Sequence, residues 1–419
     1  MSVPPELQVR TVCRERLVLA IKTKATFWKQ RSKHRAIVEG DANTAFHHAI
    51  ATHRMRQNQI TAISVGGREL SSHASKSAAV TDFFRDLMSC KHRVRWDFSL
   101  NTLYSDCPRA SSVLDAPFLQ SEAKNAVCMM NKNSAPGPDG FGPSFYLAAW
   151  DTVCPQILQL LAEFYTGNIQ LNRINRAFVV LLPKKTTPLA VSDYRPICLQ
   201  NCSVKIISKI LTSRLQREIH NFISPDQTGF LKGRSISENF VYALELIQCC
   251  HKRRAPAIAL KLDFAKAFDS VHWDALRCVL RARGFSERWQ DWIDQLLHTS
   301  LTSVLLNGCP GPWWSCGRGL RQGDPLSPYL FLLVADVLQT LIKRDGQVKH
   351  PLTPAEPCVV LQYADDTMIV MEGDPVSVRA LKQLLDSFSS ATGLCINFQK
   401  SVLVPIHMGE SAVHHCVSL

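Results

Sequence analysis

Two short apolar runs, Val359–Leu361 and Met368–Met371, flank the tetrad Tyr363-Ala364-Asp365-Asp366, and no other stretch restricts the fold so much. Aliphatic runs of this kind on either side of a short polar link make a β-hairpin. Its tip carries two adjacent carboxylates between buried strands. Neighbouring aspartates repel each other and lose hydration there, a costly arrangement unless a cation compensates. Taken alone, the tetrad reads as a solvated polar tip, and only the residues that accompany it turn the reading toward a metal site.

A further carboxylate lies upstream. Between Ile258 and Phe264 the chain alternates, with Ile258, Leu260 and Leu262 on one strand face and Ala259, Lys261 and Asp263 on the other. Asp263 therefore projects from a strand end, away from the apolar face. Lys266, Ala267, Phe268 and Asp269 follow, and the pattern turns helical through Trp273, Leu276 and Leu280. Asp263, Asp365 and Asp366, with basic segments before and between them, supply what phosphoryl transfer needs: oxygen ligands for two Mg²⁺ ions, or Mn²⁺ in their place, and cations for a triphosphate.

Composition agrees and excludes several classes. Of 419 residues, 46% are hydrophobic and 20% charged, as in a folded globular protein of two or three domains, or of one large domain with an arm. A formal net charge of +13 suits a surface that lies against phosphate. Fifteen cysteines are scattered behind a start with no apolar leader, which favours a reduced compartment over a disulfide framework. Cys249 and Cys250 are adjacent, Cys309 and Cys316 lack a second pair, and His414, His415 and Cys416 stand alone, so no zinc pattern emerges. No apolar run reaches the roughly 18 residues of a membrane helix.

Along the chain, residues 8–60 read as basic amphipathic helices in which Trp28 sits among Lys29, Arg31, Lys33 and Arg35. That pattern can track a nucleic-acid backbone or simply face solvent. Asn133 to Gly140 is too rich in Pro and Gly for helix or strand. Helical spacing follows over Phe145–Tyr165, then a β-type run over Ala177–Leu182 that ends at Pro183 with Lys184 and Lys185 behind it. Val204–Phe222 reads as a helix with one apolar face and Lys and Arg on the other, and Ser327-Pro328 as N-cap and first position of a helix over Tyr329–Ile342. The expectation is one α+β body over roughly 115–405, preceded by a basic helical arm.

On these residues the chain resembles the reverse transcriptase of LINE-type, non-LTR retrotransposons. The Tyr363–Asp366 box, the run Asp263–Asp269 and the run Gly319-Leu320-Arg321-Gln322-Gly323-Asp324-Pro325-Leu326-Ser327-Pro328 occur in the order of that family's polymerase core. Ser134–Gly140, Leu182 through Lys184 to Tyr194-Arg195-Pro196-Ile197, Gln227-Thr228-Gly229-Phe230 with Gly233-Arg234, and Gly393-Leu394 with Asn397 and Lys400-Ser401 add to it. Trp28, Gly40-Asp41, Asn43-Thr44 and Phe46-His47 resemble the connector that follows the endonuclease in such elements.

The resemblance implies a right-hand polymerase of fingers and palm, with an antiparallel palm sheet packed on helices. Its parts would be an arm or connector over 1–114, fingers and the start of the palm over 115–257, palm over 258–405 and a truncated tail over 406–419. It implies an RNA template, a DNA primer and dNTPs as partners, and residence in nucleus or cytoplasm. Asp263, Asp365 and Asp366, with the Phe264 backbone, would hold the metal ions, and Tyr363 and Ala364 would shape the active-site hairpin. Lys184, Arg195, Phe268, Gln322 and Gly323 would bind nucleotide, with the Phe268 ring beneath the sugar, excluding a 2′-hydroxyl unless it is an ordinary core phenylalanine. Lys400 would be the candidate general acid toward pyrophosphate.

Departures are expected to matter. No endonuclease precedes the arm and the chain ends where a thumb should begin, so cleavage would come from a separate endonuclease or parent-element protein, and primers would be extended poorly. An intron-encoded maturase or a viral RNA-dependent RNA polymerase is a related alternative, the latter disfavoured by Phe268. A catalytically weak or inactive nucleic-acid-binding remnant is the alternative from another class.

Overall fold

Strand alternation and helix capping build this molecule, which a computed structural model describes over residues 44–89 and 94–418 and at 15–17, 19, 20, 23 and 24. Trp28, Lys29, Arg31, Lys33, Arg35, Gly40, Asp41 and Asn43, with the side chains of Thr44, Phe46 and His47, lie outside the described residues. In chain order the described strands begin with β1 (Ile63–Val65), β2 (Arg68–Leu70), β3 (Arg176–Pro183), β4 (Tyr194–Gln200), β5 (Ala257–Leu262) and β6 (Leu301–Leu306). They continue with β7 (Cys309–Pro310), β8 (Trp314–Ser315), β9 (Val359–Tyr363), β10 (Asp366–Glu372) and β11 (Val402–Ile406).

The residues group into two compact units. The smaller comprises Met1–Lys76, Leu181–Arg195 and Leu306–Cys309. Within it β1 and β2 form an antiparallel ladder with Ile63 opposite Leu70, and the Ser64 amide donates to the Leu189 carbonyl at 2.8 Å. The Lys76 ammonium is buried and donates to the carbonyls of Ile60 (2.9 Å) and Thr61 (2.8 Å), which satisfies a charge that burial would otherwise penalise.

The larger unit comprises Ser77–Val180, Pro196–Leu305 and Pro310–Leu419. Its centre is an antiparallel sheet of order β11-β5-β10-β9. The alternation along β5 sends Ile258 and Leu262 into the main core, with helices Trp150–Thr166, Cys202–Glu218, Trp273–Ala282, Ser327–Asp345 and Pro375–Thr392. Ala257 and Ala259 face the other way and pack with Ala243, Leu246 and Cys250 of helix Ile236–Arg253. Two-sided burial is why apolar residues dominate β5 and β10 until their shared end, where Lys261, Asp263 and Asp366 appear. A second sheet has the order β4-β3-β6-β7, with β8 paired to β6 and β3 parallel to β6 from Arg176 opposite Leu301 to Val179 opposite Val304.

Three local expectations change. Ser327 is the first residue of its helix rather than the cap, because the Asp324 carboxylate two and three residues back already accepts the amides of Leu326 (2.8 Å) and Ser327 (3.3 Å). The run over 145–165 is two helices, Pro143–Ala148 and Trp150–Thr166, whose break at Ala149 lets Tyr146 and Trp150 both be buried. The polar face of Cys202–Glu218 is not wholly solvated: Arg214 is buried, 2.7 Å from Glu122, and donates to the carbonyls of Leu114, Ala116 and Pro117. Among the described residues no helix is long and apolar enough to cross a membrane.

Candidate active site

Tyr363 pairs with Asp366 across the hairpin, so Ala364 and Asp365 form a two-residue turn. Ala364 has φ +56°, a conformation that turns of this length normally give to glycine and that strains an alanine. What holds it is the fully buried Gln227. Its Oε1 accepts from the amides of Ala364 (2.8 Å) and Gly229 (2.9 Å), and its Nε2 donates to the Ala364 carbonyl at 3.1 Å. Thr228 adds an amide bond to the Gln362 carbonyl at 2.9 Å. Gly229 comes so near that a Cβ would stand 2.3 Å from the Ala364 nitrogen. A distant segment thus imposes the shape of the tetrad.

Register brings the carboxylates together. The β5–β10 ladder ends with Thr367 opposite Leu262, so Asp366 and Asp263 are the next residue on each strand just beyond that end. Opposed residues of an antiparallel pair share a face, and Lys261 shares it by alternation. The Asp263 amide donates to Ser401 Oγ at 3.2 Å, and its carbonyl accepts from the Asn397 amide at 2.7 Å. Ala265 in turn donates to the Cys395 carbonyl at 2.9 Å. Because those two flanking bonds carry the Phe264–Ile396 bridge, the amide and carbonyl of Phe264 itself face the opposite side, where β10 runs.

The side chains lean on lysines. Asp263 Oδ2 stands 3.8 Å from Lys400 Nζ, with the two side chains 35% and 70% exposed. Asp366 Oδ1 stands 3.7 Å from Lys261 Nζ, and Asp365 is half-buried. Among the described residues, no three His, Cys, Asp or Glu side chains are gathered so as to hold a metal ion. The donor set still suits a hard divalent cation: oxygen only, hydrated, at the end of a sheet.

Phe268, in the short helix Ala267–Ser270, is half-buried. It stacks on Phe331 (4.6 Å, 13°) and meets Phe230 edge-to-face (6.2 Å, 89°). The glycine-rich loop docks directly beside it, for Leu320 donates to the Phe268 carbonyl at 2.7 Å and Gly319 to Val271 at 2.8 Å. Gly319 has φ +87°, and a Cβ there would lie 2.7 Å from the Asp269 carbonyl. Gln322 Nε2 donates to the buried Asp269 carboxylate at 3.0 Å, its carbonyl accepts from Cys198 at 2.8 Å, and Gly323 is exposed. Phe268, Gln322 and Gly323 therefore belong to one cluster. Lys184 and Arg195 belong to the smaller unit, where Lys184 directly follows β3 and donates from Nζ to the Ser192 carbonyl at 3.0 Å, and Arg195 is exposed on β4.

Gln227 and Asp269 earn structural roles, and Lys261 a place beside Asp366, that their sequence context did not reveal. Only the unusual turn at Ala364 hinted that something must hold it.

A family model described as reverse transcriptase (RNA-dependent DNA polymerase) matches residues 182–409. That is over half of the chain, and the chain belongs to this family. It is 27% identical over 88% of its length to a 149 kDa protein of transposon TX1 from Xenopus laevis, covering 28% of that protein. It is 31% identical over 65% of its length to the Pol polyprotein of the type-2 retrotransposable element R2DM from Drosophila melanogaster, covering 25%. To that of a type-1 retrotransposable element R2 from Nasonia vitripennis it is 28% identical over 58%, covering 23%. The chain thus spans about a quarter of the length of these relatives. They are of the non-LTR type that the motifs resemble, and the α+β fold with its antiparallel sheet packed on helices agrees.

Proposed function

We propose that this chain is the polymerising core of an RNA-directed DNA polymerase of a non-LTR retrotransposon, extending a DNA primer on an RNA template with dNTPs. What supports this is that the β5–β10 ladder ends at Leu262 opposite Thr367, with Asp263 and Asp366 the next residue on each strand and Asp365 in the adjoining turn. These carboxylates, with the Phe264 carbonyl, are the groups that would hold Mg²⁺ or Mn²⁺. Bound there, such ions supply a more acidic primer 3′-hydroxyl and neutralise the charge developing on the triphosphate.

The chain's own side chains do the rest. Phe268 blocks a 2′-hydroxyl beneath the sugar, while Gln322 and Gly323 approach the nucleotide. Lys184 and Arg195 bind triphosphate oxygens by charge-assisted hydrogen bonds. Lys400 donates a proton to the departing pyrophosphate. Residues 115–257 act as fingers and 258–405 as palm, behind an arm over 1–114. Nucleus or cytoplasm is the setting, in keeping with the free thiols of thirteen cysteines among the described residues.

The test is primer extension on an RNA template with Mg²⁺, alongside Asp263→Asn and Asp365→Asn. DNA products that need the metal and both aspartates support the proposal. RNA binding that weakens with salt, with no metal-dependent product, would instead make the chain a non-catalytic binder.

A further inference from the structure

We infer that Phe230 is a positioning residue for sugar selection, setting the angle of the Phe268 ring and tying that ring to the Asp365-Asp366 hairpin. The inference rests on the polymerase reading above. Residues 226–230 act at two places at once. At one end, Gln227 and Gly229 grip the backbone of Ala364. At the other, Phe230 presents its ring to Phe268 at 6.2 Å and 89°, the edge-to-face geometry that aromatic pairs prefer.

Phe230 is poorly explained as a core residue. Its side chain stays 47% exposed, and its backbone is left-handed at φ +59°, a conformation that strains a bulky residue. Its carbonyl accepts from the Tyr329 hydroxyl at 3.3 Å, on the helix that also carries Phe331. Phe331 stacks against Phe268, so the gate ring is held by Phe331 from the helix and by Phe230 from the segment clamped to the hairpin. Phe331 covers one face of that ring and Phe230 meets it edge-on, so removing Phe230 leaves the ring free to tilt away from the space a 2′-hydroxyl would need.

The experiment compares equilibrium binding of dATP and ATP to the full chain on an RNA template with a dideoxy-terminated DNA primer and Mg²⁺, which needs no turnover, and then single-nucleotide extension with each on a primer that keeps its 3′-hydroxyl. The wild type should prefer dATP and Phe268→Ala should abolish the preference. Phe230→Ala should lower it roughly three- to tenfold, the size of one aromatic pair. Phe230→Tyr should restore it, and Phe230→Leu serves if the alanine variant fails to fold. A preference unchanged in both Phe230→Ala and Phe230→Leu, with Phe268→Ala abolishing it, overturns the inference alone. A wild-type complex that binds neither nucleotide, or binds both equally, overturns the polymerase reading and the inference with it.

Discussion

Asp336 and Glu122 each meet an arginine inside the larger unit, whereas Asp263 and Asp366 each meet a lysine at its surface. The Asp336 and Arg283 side chains, 2% and 3% exposed, are in direct contact, and Asp336 also accepts from the Ser224 amide at 2.9 Å and Thr340 Oγ1 at 3.2 Å. Glu122 takes both Nε (2.8 Å) and Nη2 (2.7 Å) of Arg214. The site pairs, at 3.8 and 3.7 Å, are too long for hydrogen bonds and stand in solvent. Core acids have their lone pairs occupied by directed donors. Asp263 and Asp366 instead have a diffuse counter-charge from an exposed lysine, a looser hold that suits a ligand for a divalent ion.

The sharpest way to break that contrast is to remove one acid from each class. Asp263→Asn should cut the rate of primer extension about a thousandfold, equivalent to roughly 4 kcal/mol of lost transition-state stabilisation. Its unfolding free energy from urea denaturation should stay within about 0.5 kcal/mol of wild type. Arg283→Met should do the reverse in kind, destabilising the fold by about 3–5 kcal/mol because Asp336 is left buried and unpaired. Urea unfolding measures it, and the double variant Arg283→Met/Asp336→Leu should recover most of the loss. If Asp263→Asn destabilised as Arg283→Met does, the two classes would be one.

Glu122 refines the core side of the contrast through pH. Burial works to raise its carboxyl pKa, but hydrogen bonds from Arg214 and the Leu119 amide, and the Arg214 charge, outweigh it and hold it below the ordinary 4.5. A folded pKa below the unfolded one means stability that is fully present above the unfolded value and lost as pH falls through the folded one. Unfolding free energy should therefore drop below about pH 4.5, and less steeply in Glu122→Gln, which at neutral pH should cost about 1.5–3 kcal/mol. Equal acid slopes in the two proteins would show that Glu122 is not a depressed carboxylate.

How far these features could be read beforehand depends on the range of the interaction. The alternation of Ile258 to Asp263 and the apolar runs around Tyr363–Asp366 are local, and they yielded β5, the β9–β10 hairpin and the face on which Asp263 lies. Phe268, Gln322 and Gly323 were identified by motif, but their clustering depends on the Leu320 and Gln322 hydrogen bonds to residues far along the chain. Gln227 stood in a quoted motif without a role, since nothing near it shows that its amide grips Ala364. Arg214 misled for the same reason: a helical pattern cannot show that a cation on the polar face has Glu122 and three carbonyls waiting for it.

Lys261 carries the smallest and most discriminating expectation. With both partners exposed and 3.7 Å apart, its pair with Asp366 is screened by water and salt, so Lys261→Met should change the unfolding free energy by no more than about 0.5 kcal/mol. Losing one positive charge beside Asp366 should instead strengthen the pull on a divalent cation. In water, two unit charges at this range interact by about 1 kcal/mol, so Mn²⁺ binding followed by electron paramagnetic resonance should tighten a few-fold at low salt, the gain fading as salt is added. A large loss of stability with unchanged Mn²⁺ binding would make Lys261–Asp366 a structural pair like Arg283–Asp336, and the distinction between occupied and available carboxylates would fail at the very residue that most needs it.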